Sequence, residues 1–126
     1  MLSILIQKVY TYRLNGLDKF LTVVEAQAGG RGYYKAYVAQ TLDGQWAPLA
    51  ATKDKPFASP VHARHTGAHW TDSFSHGELI RQGYDQNLVV DPNKLRFLFQ
   101  GASDNEKKGK KYGQIPWRLG MLSLAQ

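Results

Sequence analysis

The sequence predicts a single all-β domain, and three observations predict it. Short runs rich in β-branched, aromatic and aliphatic residues recur along the chain, each bounded by glycine, proline, asparagine or aspartate. Asn15-Gly16 and Asp43-Gly44 are dipeptides that supply the positive φ angles of tight hairpin turns, so they mark antiparallel connections. No stretch asks for a long amphipathic helix.

Taken in order, the strand-like runs span residues 4–14, 20–26, 33–39, 46–49, 78–80, 87–90, 95–100 and 119–124. The first two flank Asn15-Gly16, and Gly29-Gly30 turns the second run into the third. Asp43-Gly44 leads into the fourth run, which opens at Trp46. Residues 50–68 hold Pro56, Pro60, small residues, His62, Arg64 and His65, and read as a long surface loop. Tyr84-Asp85-Gln86 and Asp91-Pro92 carry turn chemistry on either side of the run 87–90. Gln100-Gly101 closes the most apolar strand, and Asp104-Asn105-Glu106 with the lysines after it reads as a hydrated loop. Successive strands are expected to be neighbours in meanders, which build sandwiches, barrels or propellers. A four-stranded propeller blade takes roughly 40 to 50 residues, so the chain holds about two to three blades' worth of strands. No clean internal repeat selects among these architectures, and periodicity alone stops at an all-β domain.

Composition narrows the function classes. A chain of 126 residues suits one domain rather than two, and 43% hydrophobic with 21% charged residues excludes disorder and collagen-like structure. The 12% aromatic content, rich in tyrosine, suits strands and sugar-binding surfaces. A formal charge of +6 raises the question of an acidic partner. The basic residues concentrate only at Lys107, Lys108, Lys110 and Lys111, beside Gly109, so a solvated loop is expected and no nucleic-acid partner. There is no cysteine, hence no disulfide framework or thiolate metal site. Residues 2–6 are apolar but give way at once to Gln7 and Lys8, too short for a membrane span and without the features of a signal peptide. No membrane partner is expected.

Several residues carry chemistry. Glu25 ends the apolar run Phe20-Leu21-Thr22-Val23-Val24, where desolvation favours the protonated carboxyl that a general acid needs. The plainer reading is a strand-end surface glutamate. Ser75-His76-Gly77-Glu78 brings a serine, a histidine and a carboxylate close in sequence, but neighbours in an extended strand point to opposite faces, so a triad is not expected. His62, His65, His69 and His76 cluster without a cysteine, which argues against zinc and leaves His76 as a ligand of a hard cation. Gln100, Tyr112, Trp117 and Arg118 place amide, phenol and indole groups at strand ends, as carbohydrate recognition requires. For Trp117 an aromatic core around Ile115-Pro116 is the equal alternative.

An ordered series of these segments resembles glycoside hydrolase family 62. The series comprises the stretch 10–26, Gly30-Arg31, Trp46-Ala47-Pro48-Leu49, Pro56-Phe57-Ala58, Trp70-Thr71, the run 74–81, Tyr84-Asp85-Gln86, Asp91-Pro92, the strand 95–101, Tyr112 and Pro116-Trp117-Arg118-Leu119-Gly120. The resemblance covers nearly the whole chain and identifies residues 1–126 as the later part of that catalytic domain. It implies the C-terminal blades of a five-bladed β-propeller with antiparallel four-stranded blades, here an incomplete ring. It also implies a secreted, extracellular α-L-arabinofuranosidase that removes arabinose from arabinoxylan with inversion. Inversion places two carboxyl groups about 6.5 to 9.5 Å apart. By resemblance Glu25 is the general acid, His76 lies beside a bound calcium, Gln100 and Tyr112 hold the arabinose or the water shell of the cation, and Arg81 orients that shell. Glu78 is then a structural neighbour of His76.

Two departures from the family pattern carry expectations of their own. The family's general base and the aspartate that tunes the acid have no matching aspartate here, so a truncated form with little or no hydrolysis by itself is expected. An incomplete ring exposes strand edges, from which self-association through the open edge follows. Asn93 stands where many members carry a cysteine, and residues 106–111 form a longer loop than the family's glycine-rich turn. An inactive carbohydrate-binding propeller remnant is the alternative function.

Overall fold

The computed structural model describes residues 9–123; the start of the first predicted run, the apolar stretch 2–6 and the final residue of the last run lie outside the described residues. Strands β1 (Val9–Leu14) and β2 (Lys19–Ala28) form a hairpin whose register runs from Leu14↔Lys19 to Val9↔Val24. Its turn places Gly16 at positive φ, as the Asn15-Gly16 dipeptide predicts, but the second positive φ falls at Asp18 rather than Asn15, in a four-residue loop closed by Leu14↔Lys19. Gly29 and Gly30, both at positive φ, make the tighter reversal into β3 (Arg31–Ala39), and Ala28↔Arg31 pair directly across it.

The second predicted hairpin forms by a different device. β3 pairs antiparallel with β4 (Ala47–Ala50), but Gly44 is not among the positive-φ residues. There the Thr41 side chain occupies the space a Cβ would need, and the Gly44 N–H bonds the Thr41 carbonyl at 3.2 Å. A close approach of the Thr41 side chain, not a left-handed backbone, marks this glycine.

β5 (Ser73–Leu79), β6 (Val89–Val90), β7 (Arg96–Ala102) and β8 (Arg118–Ser123) complete the strands. β5 starts well before the predicted run 78–80, because Ser73 to Ser75 pair with Gln100 to Ala102. Two sheets result, in the orders β4-β3-β2-β1-β6 and β5-β7-β8. The first contains a four-strand antiparallel meander, extended by β6 running parallel to β1 through Arg13↔Val89 and Leu14↔Val90. The expectation of neighbouring strands in simple meanders therefore fails at β6, which skips β5 to join the first sheet. Among the described residues the two sheets do not close into a ring.

One core joins the sheets. Tyr12, Leu21, Val23 and Tyr34 from the first sheet meet Phe74, Leu79, Phe97 and Phe99 from the second. Aromatic edges and faces mesh there, with ring centroids 4.8 Å apart for Tyr34 and Phe97 and 4.1 Å for Phe74 and Phe99. The segment 50–68 is not wholly a surface loop. Its Ala58 and Ser59 are buried, and Tyr34 N–H bonds the Ala58 carbonyl at 2.8 Å. The predicted loop after β7 also holds one helical turn, α1 (Asp104–Lys107), fixed by a capping box between Ser103 and Glu106. Among the described residues no helix is long and apolar enough to cross a membrane.

Candidate active site around Glu25

Strand alternation carries Leu21, Val23 and Glu25 to the same inward face of β2, so a carboxyl continues an apolar stripe. Glu25 is 7% exposed, which rules out the strand-end surface reading. Three donors hold its carboxylate: Oε1 accepts from the Tyr34 hydroxyl at 3.1 Å and the His76 N–H at 3.2 Å, and Oε2 accepts from the Ser75 hydroxyl at 3.1 Å. The Tyr34 oxygen in turn accepts the Gly77 N–H at 2.6 Å. Burial pushes the Tyr34 phenol well above its ordinary range, and the charge of Glu25 adds to the shift against the opposing Gly77 hydrogen bond.

A break in β5 makes this grip possible. The β5–β7 register shifts between Ser75 and Glu78, and His76 takes a φ of 48°. This bulge lets the Ser75 hydroxyl and the His76 backbone N–H reach the same carboxylate, although regular extension would turn neighbouring residues apart. Gly77 is required at the bulge because a Cβ there would run into the Phe97 ring. Ser75 bonds Glu25 and Tyr112 rather than a histidine ring.

Tyr112, in a short 3-10 turn (Tyr112–Gln114), brings the sugar-binding candidates to this point. Its hydroxyl lies 3.1 Å from the Ser75 oxygen and donates to Gln100 Oε1 at 3.1 Å. Its ring stacks on His76 at 5.2 Å and meets Trp117 at 4.9 Å. Trp117 Nε1–H bonds the Tyr112 carbonyl at 3.1 Å, and Trp117 is only partly buried, outside the main core. Tyr112 is 48% exposed, so His76, Tyr112 and Trp117 form an aromatic row open to solvent beside a buried acid. Partial burial raises the Tyr112 phenol above its ordinary value, partly offset by the Ser75 hydrogen bond.

Not every candidate converges here. Arg81 lies beyond the end of β5, exposed, in a surface depression with Gln82, Asp91 and Lys94, and not with the Glu25 cluster. Glu78 is exposed on β5. His62, His65 and His69 bond separately to Ser59, the Pro60 carbonyl and Asp72. Among the described residues no three histidine, aspartate or glutamate side chains gather to hold a metal.

Sequence reasoning missed a polar clasp next to the site. Arg31, just past the Gly29-Gly30 turn, binds Asp104 through two nitrogens, Nη2 at 2.5 Å and Nε at 3.0 Å. Asp72 accepts the Asp104 N–H at 2.8 Å and bonds His69 at 3.0 Å. Lys107 Nζ reaches the Gly30 carbonyl at 2.6 Å and the Ser73 hydroxyl at 2.8 Å. These contacts fasten the β2–β3 hairpin tip to α1 and the start of β5. The Asp104 N–H, with His69 and Arg31 beside it, holds the Asp72 carboxyl below its usual range.

A buried carboxyl set beside an open row of aromatic rings is the kind of surface that carbohydrate-active domains present to sugar faces and hydroxyls. The sequence profile of Glycosyl hydrolase family 62 matches residues 2–123, and the chain belongs to that family. It is 42% identical over 122 residues to alpha-L-arabinofuranosidase C of Cellvibrio japonicus, covering 97% of this chain and 19% of the relative. Among solved structures it resembles the catalytic domain of the Coprinopsis cinerea family 62 alpha-L-arabinofuranosidase, at 37% identity and a TM-score of 0.85 over 91% of this chain and 36% of that one. The Podospora anserina alpha-L-arabinofuranosidase in complex with cellotriose matches at 36% identity and a TM-score of 0.83, over 91% and 36% of the two chains. A family 62 hydrolase in complex with xylotriose matches at 36% identity and a TM-score of 0.84, over 92% and 36%. The chain thus spans about a fifth of the curated relative and just over a third of the solved domains.

Proposed function

We propose that this chain contributes the general-acid part of an α-L-arabinofuranosidase centre acting on the arabinofuranosyl branches of arabinoxylan. Glu25 protonates the departing xylosyl oxygen, and a carboxylate from the part of the family domain not matched by this chain activates water on the opposite face, giving inversion. The observation that carries this reading is the burial of Glu25 beside the row His76, Tyr112 and Trp117. Ser75 serves both protonation states. It donates to the ionised carboxylate, and when Glu25 is protonated it accepts from Oε2–H and turns its own proton to the Tyr112 oxygen. Gln100 and Tyr112 hold sugar hydroxyls, and the xylotriose and cellotriose complexes of the solved relatives support a β-linked main chain as ligand.

The same reading makes the chain part of a secreted five-bladed β-propeller. Its meander β1–β4 amounts to one four-stranded blade. Self-association belongs to this reading as well. It is supported by the outer strand β8, where Leu119 is 72% and Met121 50% exposed.

The test measures arabinose release from soluble arabinoxylan by the folded chain, together with calorimetric binding of an arabinoxylo-oligosaccharide. Binding that persists in Glu25→Gln and falls in Tyr112→Ala, with any release abolished by Glu25→Gln, is expected. Release undiminished in Glu25→Gln would remove the acid assignment, and folded protein that binds no arabinosylated ligand would remove the substrate.

A further inference from the structure

The four lysines that stand together in sequence have different fates in the fold. Lys107 is committed to the Gly30 carbonyl and Ser73. The acids of the same stretch are committed too, Asp104 to Arg31 and Glu106 to Arg118. Lys108, Lys110 and Lys111 are exposed and have no acidic partner within ion-pair distance among the described residues.

The backbone presenting these ammonium groups is a shaped turn. Lys110 N–H bonds the Lys107 carbonyl at 3.1 Å, Gly109 has a φ of 71°, and Lys111 N–H bonds Gln114 Oε1 at 3.0 Å. Lys111 directly precedes Tyr112, whose hydroxyl contacts the serine that holds Glu25. Two residues of backbone span at most about 7 Å, and the Debye length at physiological salt is about 8 Å. The backbone of Lys110 and Lys111 thus stands within about one screening length of the backbone of Tyr112. A neutral xylan gains nothing from this field, whereas a carboxylate on the polysaccharide does.

Building on the arabinoxylan reading of this site, we propose that Lys108, Lys110 and Lys111 form a cationic rim selecting xylan chains that carry uronic-acid branches over neutral arabinoxylan. Lys111 is joined directly to Tyr112 of the aromatic row, so the anion the rim favours is one attached to a sugar chain bound at that row. Exposed ion pairs are individually weak, and about threefold to tenfold in affinity at low salt is the scale expected for the group.

Titration calorimetry on the full chain tests this, using an arabinoxylo-oligosaccharide with a glucuronosyl branch, its carboxyl-reduced form, and a single-stranded oligonucleotide, at about 20 mM and about 300 mM salt. The uronate form is expected to bind about threefold to tenfold tighter than the reduced form at low salt. That preference should approach unity at high salt and in the combined variant Lys108→Gln, Lys110→Gln, Lys111→Gln, which should still bind the reduced form like the parent. A ratio near unity in the parent at low salt, a preference that survives the combined variant, or tighter binding of the oligonucleotide would each overturn the rim while leaving the arabinoxylan reading intact. Binding of neither oligosaccharide by folded protein would overturn both.

Discussion

Tyr34 and Glu25 face each other directly across the β2–β3 ladder, and the phenol donates to the carboxylate at 3.1 Å while accepting the Gly77 N–H at 2.6 Å. One hydroxyl therefore fixes both the acid and the bulge that grips it.

Tyr34→Phe removes that hydroxyl and leaves the buried Gly77 N–H without its partner. A loss of about 1–3 kcal/mol in unfolding free energy is expected, the cost of an unsatisfied buried donor. Ser75→Ala leaves no stranded amide and should cost about 1 kcal/mol. Urea denaturation of the two variants checks the ranking.

Gly77→Ala tests the bulge itself. The added methyl meets the Phe97 ring, so overpacking should cost about 1–3 kcal/mol. Thermal melts should place the double variant Gly77→Ala, Phe97→Leu above the sum of the two single losses, because the smaller side chain relieves the clash.

Alkaline stability follows from the buried phenols. Burial raises both Tyr12 and Tyr34 above the ordinary value of 10.0, so the folded state keeps protons that the unfolded chain releases. Their contribution is intact below about pH 10 and is lost progressively as pH rises beyond it. Denaturation midpoints measured upward from neutrality should fall steeply above that point, and Tyr12→Phe should flatten the fall.

The clasp has the opposite sign. Asp72 is depressed below its usual value, so its contribution is present above the ordinary carboxylate range and is lost as pH falls through it. Asp72→Asn should lower the melting temperature at neutral pH and reduce its drop between about pH 5 and pH 3. An unchanged acid limb would show that the hairpin tip is held without Asp72.

Much of the first sheet was legible in the sequence because its contacts are local. Asn15-Gly16 and Gly29-Gly30 dictate reversals, whereas the inward position of Glu25, which the sequence read more plainly as a surface residue, emerged only from the fold. The family series was legible for a related reason, since ordered short motifs survive without any knowledge of contacts. Trp117 illustrates the boundary: its neighbours Ile115 and Pro116 allowed a core position or a sugar platform, and only the tertiary structure set it against Tyr112, outside the main core.

By itself, then, the sequence determined an all-β chain with three antiparallel reversals and membership of a sugar-hydrolase family. The tertiary structure alone decided what holds that acid. Glu25 and Ser75 are 50 residues apart, and Arg31 and Asp104 are 73 apart. The bulge at His76, the parallel pairing of β6 and the separation of Arg81 from the Glu25 cluster depend likewise on strands meeting across the fold. Local propensity and spacing constrain neighbours along the chain, but hydrogen bonds between distant segments form only where burial of a shared core brings their backbones together.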